Sequence, residues 1–85
     1  MRLDKYLKVS RIIKRRTVAN EAASAGRVRI NGKQAKPASE VQPGDTLDML
    51  LGGRHFLFSV ESVSETARKE DADRMYTLIT EDSPA

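Results

Sequence analysis

The 85-residue sequence predicts an α+β domain, with two N-terminal helices packed on a small, mostly antiparallel sheet. Three observations predict it. Apolar residues recur at helical spacing as far as residue 25, they alternate from residue 27 onward, and Gly26 marks the change of period. Helices first and strands afterwards is the order of an α+β chain rather than of parallel βαβ units. A chain this short buries one small core and leaves no room for a two-lobed catalytic cleft.

In the first helix Leu3, Tyr6 and Leu7 share one face, while Arg2, Lys5 and Lys8 recur every third residue on another. Asp4 precedes Lys8 by four residues, where a modest surface ion pair is its simplest use. Residues 10–14 make a turn, with Ile12 and Ile13 feeding the core. The second helix is predicted over residues 16–25, with an apolar stripe of Val18, Ala19, Ala22, Ala23 and Ala25. Its small side chains permit close approach to a neighbour, and Gly26 suits the left-handed cap that follows.

Val28 and Ile30 then point one way and Arg27 and Arg29 the other. Asn31-Gly32 is a strong signal for a type I′ hairpin, returning through residues 33–36. Pro43-Gly44-Asp45 introduces a strand carrying Leu47, Met49 and Leu51 on one face. Gly52-Gly53 turns it into another, with Phe56, Phe58 and Val60 alternating. Residues 66–73 read as a charged segment of one or two helical turns, and residues 75–80 as a last strand. The expected domain spans residues 1–80, and residues 81–85 are expected to fray.

The net charge of +3 conceals a segregation. Residues 1–36 carry eleven cations against Asp4 and Glu21, whereas residues 37–85 carry four cations against ten acids. One strongly positive end concentrates polyanions, with nucleic acid the first candidate. An anionic membrane surface and an arginine-rich transit segment are the weaker alternatives. No run approaches the roughly 18 apolar residues of a membrane span, so the expectation is a soluble, cytoplasmic protein that engages no membrane.

Catalysis and metal binding find no support. There is no cysteine, His55 is the one histidine and lies beside a Gly-Gly turn, and the carboxylates lack metal-loop spacing. No cofactor, metal or catalytic residue is expected. The cations, by contrast, are ordered. Lys14, Arg15 and Arg16 open the second helix, where unpaired amides and the helix dipole also favour phosphate. Arg2, Lys5 and Lys8 can share that side, and Arg27, Arg29 and Lys33 extend the patch along the hairpin. Asp4 could orient one guanidinium by a charge-assisted bond. The four rings, Tyr6, Phe56, Phe58 and Tyr76, fall in core alternations, so no stacking platform for single strands is expected and structured RNA fits better.

Arg2-Leu3-Asp4-Lys5-Tyr6-Leu7, Arg16-Thr17-x-Ala19 and Ala25-Gly26-Arg27-Val28-x-Ile30-Asn31-Gly32 resemble the S4 RNA-binding domain, an α-L type fold. The likeness continues through Lys36-Pro37 and Val41-x-Pro43-Gly44-Asp45. Arg15 departs from it, standing where many S4 domains place a helix-capping serine. Lys8-Val9-Ser10-Arg11, Ile13-Lys14-Arg15-Arg16-Thr17 and Ala72-x-x-Met75-Tyr76 are most similar to the stand-alone S4 proteins of bacterial ribosome quality control. The long basic C-terminal extension of the related heat-shock protein 15 is not seen.

This resemblance implies a monomeric, non-enzymatic adaptor on the large (50S) ribosomal subunit obstructed by peptidyl-tRNA. It implies contacts with 23S rRNA and that tRNA, with Arg2 and Arg16 touching RNA. It further implies support for C-terminal alanine tailing by a NEMF-family factor carrying alanyl-tRNA. The alternatives are a 50S recycling role like that of heat-shock protein 15, or a detached RNA-targeting module of an RNA-modifying enzyme.

Overall fold

A computed structural model describes residues 1–64, 69–72 and 74–82. Helices α1 (Leu3–Val9) and α2 (Arg16–Ser24) precede strands β1 (Val28–Ile30), β2 (Lys33–Gln34), β3 (Thr46–Leu51) and β4 (Arg54–Val60). A single helical turn, α3 (Lys69–Ala72), and strand β5 (Tyr76–Asp82) follow. The five strands form one sheet in the order β2-β1-β3-β4-β5, and every neighbouring pair is antiparallel. Both helices pack on one face of it: Leu3, Tyr6, Leu7, Ala19, Ala22 and Ala23 meet Val28, Leu47, Met49, Phe58 and Val60 in one buried cluster. The predicted α+β architecture is the one observed. Among the described residues no helix is long and apolar enough to cross a membrane.

The stripe on α2 is narrower than its sequence suggests. Ala19, Ala22 and Ala23 are buried, but Val18 is 44% exposed and Ala25 is exposed. At about 100° per residue those two lie about a quarter turn or more from the centre of the arc formed by the buried three. Ala25 instead caps the helix, and Gly26 follows at φ +76°. The Gly26 amide donates to the Ala23 carbonyl and the Arg27 amide to that of Ala22, the paired closure of a Schellman motif. The hairpin is as predicted, with Asn31 and Gly32 both at positive φ. Asn31 also ties it to β3, its amide side chain accepting from the Thr46 N–H and donating to Asp45.

The first turn of α1 is closed by distant backbone. No side chain caps Arg2; the Leu3 amide donates to the Ser39 carbonyl and the Asp4 amide to that of Pro37. The Lys5 amide donates to the Asp4 carboxylate, and the Tyr6 amide makes the first intrahelical bond to Arg2. At the other end Arg11 turns the chain at φ +64°, a conformation in which glycine is commoner. Across the core, the Tyr6 hydroxyl donates to the Met75 carbonyl at 2.7 Å, joining α1 to the start of β5.

The last strand runs further than expected. It reaches Asp82 because the β4 register continues through Phe56↔Glu81 and His55↔Asp82, past a bulge at Leu57/Phe58. The expected fraying therefore does not begin at Glu81, and residues 83–85 lie outside the described residues. Of the charged segment, α3 is described, while residues 65–68 and 73 are not.

Gly26→Ala should destabilise the fold by about 1–2 kcal/mol, the penalty of a left-handed residue carrying a Cβ. An added Cβ would also meet the Gln34 side chain, which is flexible. Urea melts of Gly26→Ala with and without Gln34→Ala separate the two causes; relief by the second substitution would show that crowding, not φ, is responsible.

Candidate nucleic-acid interface

Asp4 is where the helices meet. Its side chain is 3% exposed, yet it faces four hydrogen-bond donors and cations. Arg2 addresses it with a two-toothed fork, Nε to Oδ1 and Nη2 to Oδ2, each at 3.1 Å. From α2, Arg16 Nη2 stands 3.6 Å from Oδ1 and Asn20 Nδ2 donates to Oδ2 at 3.4 Å. The Lys5 amide completes the set at 2.8 Å. Burial disfavours the carboxylate's charge, but the bonds from Arg2 and Asn20, the Arg16 charge and the Lys5 amide outweigh it, holding the Asp4 pKa below its ordinary value.

The i,i+4 pair with Lys8 does not form; Asp4 turns inward to α2 instead. The orienting role expected of Asp4 thus has a geometric basis for two guanidiniums rather than one. Both arginines keep the rest of their forks outside: their side chains are 52% and 50% exposed. Arg2 sits at the N-cap of α1 and Arg16 at the first position of α2, so one buried anion positions two cations at two helix starts. Asn20 was not legible as a participant; its only signal is its place one turn after Arg16 on the same helix.

At the α2 entry, Arg15 occupies the N-cap and makes no side-chain cap, as its departure from serine suggests. The first turn contains no acid, and exposed Lys14, Arg15 and Arg16 surround it. A recess of about 370 Å³ lies between the helices, lined by Asp4, Arg16, Thr17, Asn20 and Glu21. Lys5 is half-buried and Lys8 exposed along α1. The structure therefore groups Arg2, Lys5, Lys8, Lys14, Arg15 and Arg16 on the helix pair. It does not bring Arg27, Arg29 and Lys33 to that place. Alternation directs Arg29 to the sheet face away from the helices, and Lys33 lies on edge strand β2.

Residues 1–47 match the S4 domain family. The RQC P-site tRNA stabilizing factor of Bacillus subtilis (strain 168) is 51% identical over 82 residues, covering 96% of this chain and 95% of that one. Its counterpart in Listeria monocytogenes is 52% identical, covering 96% and 89%. Among solved structures, trimeric heat shock protein 15 of Vibrio cholerae superposes with a TM-score of 0.84 at 30% identity, over 92% of this chain and 80% of that one.

Asp4→Asn should lower stability at neutral pH by about 1–2 kcal/mol, since it removes a charge bonded to several donors. A carboxyl with a depressed folded-state pKa stabilises above its unfolded value, about 3.9, and loses that contribution as pH falls through the folded value. The gap between parent and variant should accordingly close on acidification below roughly pH 4. Chemical melts at a series of pH values check this; a gap independent of pH would exclude the ionised carboxylate as its source.

Proposed function

The chain belongs to the S4-domain family and, within it, to the RQC P-site tRNA stabilizing factors, and we propose that it is a non-catalytic adaptor holding RNA on an obstructed 50S subunit. The observation that carries this reading is the Asp4-fixed pair of arginines. Arg2 and Arg16 each spend part of a guanidinium on one buried carboxylate and present the remainder outward, a rigid arrangement suited to phosphate. Lys5, Lys8, Lys14 and Arg15 flank them with further positive charge.

The relatives' name supplies the setting. A factor that stabilises a P-site tRNA must touch that tRNA, and the basic helix pair is the surface for it and for adjoining 23S rRNA. We extend the reading to a cytoplasmic monomer on a 50S particle carrying peptidyl-tRNA. There it would keep the tRNA in place while a NEMF-family factor carrying alanyl-tRNA adds alanines to the nascent chain. The shared fold with heat shock protein 15 favours a second reading, 50S recycling without tailing. Alanine addition to a stalled chain, compared with and without this protein, separates the two.

Arg16→Ala should weaken co-purification with 50S particles carrying peptidyl-tRNA, and leave the thermal midpoint within a few degrees, because a half-exposed ion pair at 3.6 Å stabilises little. Arg2→Ala should weaken binding equally and destabilise more, since it removes both teeth of the fork on Asp4. Asp4→Asn provides the sharper comparison. It makes the protein more positive, so simple charge attraction predicts tighter binding, whereas loss of the oriented pair predicts weaker binding. With six cations on the helix pair, affinity for duplex RNA should fall with salt at a log–log slope of about −5. A slope near −1 would mean that the cluster does not engage phosphates.

A further inference from the structure

The sheet face turned away from the helices carries a second group of side chains. Direct cross-strand partners share a face, so Arg29 of β1, Asp48 of β3 and Leu57 of β4 form one row. Leu50 of β3 and His55 of β4 form the next. Arg27 stands beside Leu50, whose amide donates to the Arg27 carbonyl. Arg27, Arg29, Asp48, Leu50 and His55, with Ala25 and Gly26 at the end of α2, line a recess of about 480 Å³.

Three features of this recess point the same way. Leu50 is 44% exposed, an apolar floor paired in register with His55 near the turn that joins β3 to β4. His55 donates from Nε2 to Asp48 Oδ1, which fixes the imidazole on the open face beside that floor. Arg27 and Arg29 supply positive charge along one side, and Arg29 stands directly across from Asp48. A flat, oriented ring next to an apolar side chain on an open sheet, bordered by arginines, is how protein surfaces take unstacked bases. We propose that this face is a second RNA site, taking one unpaired nucleotide. The base lies against His55 and Leu50, and its phosphate is met by Arg27 and Arg29. Among the described residues no element covers this face, and it begins where α2 ends, one helix length from Arg16.

The inference rests on the reading of the chain as an RNA binder, but its test has separate arms. His55 is the only histidine, so its ring proton signals are assigned by the sequence itself. On titration with a single-stranded 12-nucleotide RNA those signals should move upfield, as a stacked base requires, and a blunt RNA duplex should leave them in place. His55→Ala, an exposed substitution, should lower single-strand affinity at least about fivefold and leave duplex affinity unchanged. Arg29→Gln should reduce the single-strand salt slope by about 0.7. Ring signals unmoved by the single strand overturn the proposal. So does movement on concentrating the protein without RNA, which would make the face a contact between copies. The parallel Arg16→Ala titration keeps the two readings distinct: if it leaves duplex binding intact, the helix-pair reading fails, whatever His55 shows.

Discussion

The buried carboxylate of Asp4 is the constraint around which the N-terminal half is arranged. An ionised group taken out of water is tolerated only when its lone pairs are met, and here donors arrive from both helices and from the backbone. The requirement fixes how α2 lies against α1, because Arg16 and Asn20 must both reach the same two oxygens. Both arginines remain half in solvent, so the cluster contributes modestly to stability and chiefly fixes geometry. A flexible pair of surface cations becomes a fixed pair, spaced by a core position.

The period-two alternation of the sheet divides the rest of the chemistry. Val28, Leu47, Met49 and Phe58 go to the helices, while Arg29, Asp48, Leu50 and His55 go to the open side. The basic N-terminal third consequently serves two faces instead of one continuous patch. Arg27 and Arg29 lie close to Arg16 in sequence, but the Schellman turn at Gly26 and the strand pleat carry them to the other side of the sheet.

Local signals carried most of what the sequence revealed. Period changes placed the helices and strands, Gly26 and Asn31-Gly32 announced their own backbone angles, and Arg2, Asp4 and Arg16 stood out by type and spacing. What escaped depended on residues far apart in the chain. The closure of α1 by the carbonyls of Pro37 and Ser39 has no side-chain signature. The inward turn of Asp4 needs α2 in place, and Lys8 offered a simpler local partner. Arg11 adopts a glycine-like angle with no glycine to betray it. The imidazole of His55 looked like an idle turn residue until the β3–β4 register placed it beside Leu50 and Asp48.

The bond from the Tyr6 hydroxyl to the Met75 carbonyl has a meaning for the order of assembly. It joins residues 69 positions apart, and the first turn of α1 waits likewise on residues 37 to 41. Contacts of such long separation close late, after the intervening loop entropy has been overcome. The N-terminal third therefore emerges during synthesis as a cationic segment whose helices lack their far partners. Only when Met75 is free to fold can it complete the core and accept from the Tyr6 hydroxyl. The fixed arginine pair is thus a product of long-range closure, and the cationic helix starts exist as separate charges before they exist as a pair.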